Sequence, residues 1–196
     1  MHNAQFDARY YERYYKNPKT RVAGPADTER LACFVAAYLA YLRIPLRTVL
    51  DIGCGLGLWR SAFLTAGIDV TYTGVEVSPY VCDEYGWTRG SVVDFTSRRR
   101  YDLVVCQGVL PYLADAQVRP AVANLARLCR GALYMEAVTK EDWEGGACER
   151  KRFDRNMRLR RAAFYRKVVG EHFTSCGGGV FVRNDSRTVL YELERG

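Results

Sequence analysis

The sequence predicts an α/β domain: an open, doubly wound, mostly parallel sheet with helices on both faces and a C-terminal antiparallel β-hairpin. Three observations predict it. From Thr48 to Ala137, short apolar runs alternate with helix-length amphipathic stretches, the rhythm of parallel strands joined by crossover helices. The first apolar run ends in three glycines at alternate positions, Gly53, Gly55 and Gly57. Near the end, the apolar runs Val180 to Arg183 and Thr188 to Leu193 flank the turn residues Asn184-Asp185-Ser186, a hairpin pattern.

Residues 1–45 read as a helical cap. Tyr10, Tyr11, Tyr14 and Tyr15 recur at i, i+1, i+4 and i+5, which places them on one side of a helix. Gly24-Pro25 breaks it, and Asp27 or Thr28 is expected to cap a second helix with the stripe Leu31, Phe34, Val35, Tyr38, Leu39 and Leu42, ended by Pro45. Residues 46–139 form the core. Strands are expected at Thr48 to Ile52, Val70 to Val77, Gly90 to Asp94, Tyr101 to Cys106 and Ala132 to Ala137. Helices are expected from Leu58 to Ala66, stopped by Gly67, from Ser78-Pro79 onward, and from Asp115 to about Cys129 with Pro120 in an early turn. Residues 140–196 are read as an arginine-rich helix over 150–167 followed by the hairpin. No linker interrupts the chain, so 1–196 is expected to be one domain.

Composition narrows the function classes. With 48% hydrophobic and 26% charged residues the chain is globular rather than disordered. The longest apolar run, Leu31 to Leu42, is too short to cross a bilayer, so no membrane partner is expected. The first residues lack a basic segment followed by an apolar one, and the expected compartment is the cytoplasm. The 7 cysteines form no C-x-x-C pair and there are only 2 histidines, so no metal site is expected and the thiols should be free. The net charge of +7 is concentrated between Arg150 and Lys167, where Asp154 is the single acid. Such a face either holds phosphates or is solvated. The sequence leaves the oligomeric state open.

The chemistry centres on Asp51-Ile52-Gly53-Cys54-Gly55-Leu56-Gly57. Glycines after a first strand let the backbone turn sharply and approach a ligand. A dinucleotide fingerprint would need glycine at position 58, which is Leu58. Asp51 would repel a pyrophosphate and suits an ammonium group, whereas Glu76, ending the second strand, can accept both hydroxyls of a ribose. Together they describe an aminoacyl nucleoside.

These residues, with Val75-Glu76-Val77-Ser78, Gly90-Ser91-Val92-Val93-Asp94-Phe95 and the run from Tyr101 to Leu113, resemble class I S-adenosylmethionine-dependent methyltransferases. The ordered motifs cover about residues 48–139. The resemblance implies a Rossmann-like sheet, S-adenosylmethionine as cofactor and methyl transfer. It implies that Gly53, Cys54, Gly55 and Gly57 lie by the methionine part and that Asp51 holds its ammonium group. Glu76 would bind the ribose, Val77 pack on adenine, Ser91 and Val92 meet the adenine edge, and Gln107 border the acceptor pocket. Ser91 departs from the aspartate frequent in the family, and Asp94 is the substitute if the loop register differs. For proton removal the candidates are Glu136, Tyr14 and His172. Tyr10 and Tyr14 could form a lid, and Asp142 and Trp143 could line the acceptor pocket. Cys54 and Cys106 sit inside motifs that explain them otherwise and are not expected as nucleophiles. The run Cys106-Gln107-Gly108-Val109-Leu110-Pro111-Tyr112 lacks the Asn/Asp-Pro-Pro-aromatic pattern of enzymes that methylate nucleobase amines, so a small-molecule acceptor is expected, at O or N. The alternatives are an RNA-directed methyltransferase using 150–167 and a non-catalytic binder of the cofactor.

Overall fold

The computed structural model describes residues 6–192. His2 and the rest of the first five residues, and Leu193 of the expected last strand, lie outside them. Among the described residues, seven strands form one sheet: β1 (Thr48–Ile52), β2 (Thr71–Glu76), β3 (Thr88–Arg89), β4 (Tyr101–Gln107), β5 (Cys129–Glu136), β6 (Phe173–Ser175) and β7 (Val180–Arg183). Their order is β3-β2-β1-β4-β5-β7-β6. The first five pair in parallel, and β7 lies antiparallel between β5 and β6. Strand order reverses between β1 and β4, so the loops leaving these strands open a crevice at their carboxyl ends.

Among the described residues there are seven α-helices: α1 (Ala8–Tyr11), α2 (Pro25–Tyr41), α3 (Leu58–Thr65), α4 (Pro79–Tyr85), α5 (Asp115–Leu128), α6 (Lys140–Glu144) and α7 (Ala162–Gly170). The alternation of β1 splits the interior in two. Leu50 and Ile52 join a core in which Val118, Val122 and Leu125 of α5 and Val168 and Val169 of α7 pack on Val104, Cys106 and Leu133. Val49 joins the opposite core, where Val35 and Leu39 of α2 and Trp59 and Phe63 of α3 pack on Leu103, Val105 and Tyr134. Helices therefore lie on both faces, as the sequence predicts.

Several local expectations are corrected. Gly24, not Asp27 or Thr28, is the N-cap of α2, with Pro25 at the first helical position; Asp27 at the third accepts the Gly24 N–H at 2.9 Å. The α2 stripe buries Val35, Leu39 and Leu42 but leaves Phe34 exposed. α1 continues into one π-helical turn, Glu12–Lys16, which shifts Tyr14 and Tyr15 off a regular stripe. The third strand is Thr88–Arg89; Ser91 to Asp94 instead form a turn, because the Asp94 carboxylate accepts the Ser91 N–H and Phe95 N–H bonds the Ser91 carbonyl.

The arginine-rich helix over 150–167 does not exist as such. Arg150–Arg152 is a 3₁₀ turn and α7 begins only at Ala162. Buried Arg160 is drawn inward before it, donating to the Leu110 carbonyl at 3.1 Å, to that of Leu113 and to the Asp115 carboxylate at 2.9 Å. The hairpin is also displaced. β6 and β7 form it across Gly177, Gly178 and Gly179, all at positive φ, and residues 188–192 pair with no strand because both edges of β7 are taken.

Candidate active site

Asp51 shares the face of β1 that carries Val49, so its side chain enters the α2/α3 side of the sheet at the crevice. It is 2% exposed, and the Tyr72 hydroxyl donates to it at 2.5 Å. Burial pushes its carboxyl up to about 7, against the Tyr72 bond that favours the charged form. Glu76 ends the neighbouring strand. It accepts N–H bonds from Gly55 at 2.9 Å, Val77 at 2.7 Å and Ser78 at 3.2 Å. Burial raises its carboxyl above the usual range and the three N–H groups oppose that rise.

Two of the glycines are required by space as well as by φ. Gly53 has φ +80°, and a Cβ there would stand 2.3 Å from Val109 Cγ2. Gly57, at φ +75° and the N-cap of α3, would place a Cβ 2.5 Å from the Trp87 ring, whose Nε1 donates to the Gly55 carbonyl at 2.9 Å.

Two cavities meet over this crevice. One, of about 220 Å³, is lined by Glu76, Val77, Ser91, Val92 and Val109. The other, of about 280 Å³, is lined by Asp51, Cys54, Trp59, Glu136, Phe153, Asp154 and Met157. They share Gly53, Gln107 and Gly108 from the strand ends, and Tyr10, Tyr15 and Tyr112 from the covering segments. Phe6 and Tyr11 also cover the first, Tyr14 the second. Phe6 is tied down where its carbonyl accepts the Ser78 hydroxyl at 2.6 Å. Desolvation raises the Tyr10, Tyr11, Tyr15 and Tyr112 phenols well above their usual range, so they stay neutral.

A relay of hydrogen bonds fixes the boundary between the two. Trp59 Nε1 donates to Gln107 Oε1 at 2.8 Å, and Gln107 Nε2 donates to Glu136 Oε2 at 2.7 Å. The Tyr134 hydroxyl holds the other Glu136 oxygen. Glu136 is solvent-exposed on its outer side and also borders a groove of about 420 Å³ between β5 and α7.

The other sequence-derived candidates fall as follows. Gly55 and Gly57 line neither cavity; Gly55 serves Glu76 through its N–H. His172 lies between α7 and β6, where its backbone bonds Val169 and Asn184, away from both cavities. Asp142 closes the N-terminus of α6 by accepting the Thr139 N–H and hydroxyl. Trp143 packs under Arg150, 5.5 Å from ring centre to guanidinium, and neither it nor Asp142 lines the paired cavities. Sequence reasoning missed Tyr112, Trp59, Phe153, Asp154 and Met157 as lining residues. The one available signal was Asp154, the lone acid in a basic run.

Among the described residues no helix is long and apolar enough to cross a membrane, and no group of His, Cys, Asp or Glu could hold a metal ion. The seven cysteines are free.

No curated protein shows significant similarity to the sequence. A family model described as a methyltransferase domain matches residues 50–131. Among solved structures, magnesium protoporphyrin IX methyltransferase (ChlM) from Synechocystis PCC 6803 with bound SAH superposes with a TM-score of 0.65 at 18% identity, over 93% of this chain and 98% of that one. The amino pentose methyltransferase CalS10 from Micromonospora echinaspora, with bound SAM, gives 0.51 at 24% identity, over 58% of this chain and 52% of its own. The sugar N-methyltransferase KedS8 from Streptoalloteichus sp ATCC 53650 gives 0.52 at 25% identity, over 66% and 54%. The chain thus spans about half the length of the two sugar enzymes. By strand order and superposition, this chain has the Rossmann-like fold of class I S-adenosylmethionine-dependent methyltransferases, and the methyltransferase-domain match falls on residues 50–131 of it.

Proposed function

We propose that the chain transfers the methyl group of S-adenosylmethionine to an oxygen or nitrogen of a small-molecule acceptor. One observation carries the reading: two cavities, each with its own buried carboxylate, meet at the strand ends around Gly53, Gln107 and Gly108. The residues fit the cofactor on structural grounds. A carboxylate as buried as Asp51 is costly to ionise unless a cation faces it, and the ammonium of the methionyl part would supply one. Glu76 is oriented by three backbone N–H groups, and its remaining lone-pair capacity suits a ribose diol. Val77 and Val92 supply apolar surface for adenine, with Ser91 at its edge. At Gly53 the backbone borders both cavities where a side chain would not fit.

When bound, the cofactor supplies a methyl group on a sulfonium, an electrophile that needs alignment more than activation. Gln107, held by Trp59 and Glu136, fixes the wall between the cavities. The neutral tyrosines cover the crevice and exclude water. Glu136 is the carboxylate placed to take a proton from an acceptor, since it borders the second cavity and reaches solvent. The small-molecule reading is favoured over RNA because Arg160 is consumed inside the fold, and Arg150 and Arg152 bond the Trp143 and Arg21 carbonyls. Calorimetric titration of S-adenosylmethionine, S-adenosylhomocysteine and NAD into the wild type and Glu76→Ala tests the proposal. The sulfur nucleosides should bind the wild type with Kd on the order of micromolar, about −8 kcal/mol. Binding should weaken about a hundredfold in the variant and be absent for NAD. A folded wild type that binds neither sulfur nucleoside overturns the reading.

A further inference from the structure

The second cavity is chemically one-sided. Its lining includes Asp51, Glu136 and Asp154, and no lysine, arginine or histidine among the described residues, in a chain with 29 Lys and Arg and a net charge of +7. Asp51 has a partner in the cofactor reading, which leaves two carboxylates facing whatever else enters. They stand apart in the fold, Glu136 at the end of β5 and Asp154 in the irregular segment before α7. Asp154 is 7% exposed and is held in place by the Asn156 N–H at 3.0 Å and by Tyr112, which in turn bonds Tyr10 at 3.0 Å. Aromatic rings from Tyr10, Tyr14, Tyr15, Trp59 and Phe153 complete the walls. Carboxylates among π-faces form a cation site, because ring quadrupoles and acid charges attract the same ligand. They equally repel a carboxylate or phosphate acceptor.

We infer that the acceptor is an amine, admitted as its ammonium form between Asp154 and Glu136 and methylated on nitrogen. The inference rests on the methyltransferase reading above and names its substrate class. In the transfer, the ammonium first loses a proton through Glu136 to water. The freed nitrogen lone pair forms the N–C bond, the C–S bond breaks with its electron pair staying on sulfur, and the products are the methylated ammonium and S-adenosylhomocysteine. Asp154 holds the positive charge near the reaction centre and orients the nitrogen.

The test uses the full chain saturated with S-adenosylhomocysteine and ligand-observed NMR. The probes are benzylamine, phenethylamine and cyclohexylamine, each against the corresponding alcohol and carboxylate. The amines should bind at least about tenfold more tightly than the alcohols, with no carboxylate binding. Asp154→Asn and Glu136→Gln should each erase most of that preference while S-adenosylhomocysteine affinity stays within about twofold, which also shows that the variants are folded. Equal or tighter binding of alcohols or carboxylates, an absence of preference, or a preference unmoved in both variants overturns the inference. Failure of S-adenosylhomocysteine itself to bind the wild type would instead defeat the underlying methyltransferase reading.

Discussion

The two halves of the crevice are built on different principles. The half that carries Asp51, Gly53 and Glu76 is one continuous strand–loop–helix–strand unit, in which backbone N–H groups fix Glu76, the Tyr72 hydroxyl fixes Asp51 and glycines with positive φ shape the loop. The half that carries Glu136, Phe153, Asp154 and Met157 comes from the end of β5 and the irregular backbone before α7, and it is closed by residues distant in sequence, Trp59, Tyr112 and the tyrosines at positions 10, 14 and 15. The first is rigid because each member is over-determined by covalent neighbours and the sheet. The second depends on contacts between loops, which is where a fold can change its substrate while keeping its cofactor.

The contrast can be broken at its rigid end. Gly53→Ala combines positive φ with a 2.3 Å approach to Val109, and should cost about 3 kcal/mol in thermal or denaturant unfolding. Adding Val109→Ala should restore the part due to collision and leave about 1 kcal/mol of backbone strain. A neutral Gly53→Ala would mean the loop is softer than its geometry implies. Glu76→Ala should lower cofactor affinity about a hundredfold, since hydrogen bonds to a charged group contribute about 1.5–3 kcal/mol each.

Protons sharpen the comparison further. Asp51 has its carboxyl raised to about 7 by burial, so the folded protein binds a proton that the unfolded chain releases above about 4. Stability should therefore fall as pH rises from about 4 through about 7. Cofactor affinity should move the opposite way, rising by up to about tenfold per pH unit below 7 and levelling above it, as an ammonium group displaces the proton. Calorimetry in buffers of different ionisation enthalpy should register proton release on binding at pH 6. A pH-independent affinity with no proton release would mean that Asp51 does not face the ammonium. The smallest effect is reserved for the loop-built half: Phe153→Ala, which touches only the second cavity, should raise the acceptor KM about fivefold and leave cofactor affinity unchanged within twofold.

The same division explains what the sequence disclosed. Asp51, the glycine loop and Glu76 are legible because their spacing is local and each residue type is required by backbone geometry or charge. The parallel sheet was legible because each strand is a short apolar run with its own stop. The hairpin was misplaced because Asn184-Asp185-Ser186 is a good turn, while the availability of a strand edge is a property of the whole sheet: β5 and β6 leave β7 no free side. The arginine-rich run reads as a helix by composition, yet the carbonyls of Leu110 and Leu113, distant in sequence, claim Arg160 and delay the helix to Ala162. Tyr112, Phe153 and Met157 carry no local mark of their role, since an aromatic or methionine in a loop lines a cavity only when other segments arrive around it.

Tyr10 and Tyr15 border both cavities from one short stretch, α1 and its π turn. A strap shared in this way makes the two occupancies interdependent. If two ligands both pack against it, thermodynamic reciprocity requires each to change its neighbour's affinity by the same factor. On the proposed reading, those few residues would couple the binding of cofactor and acceptor.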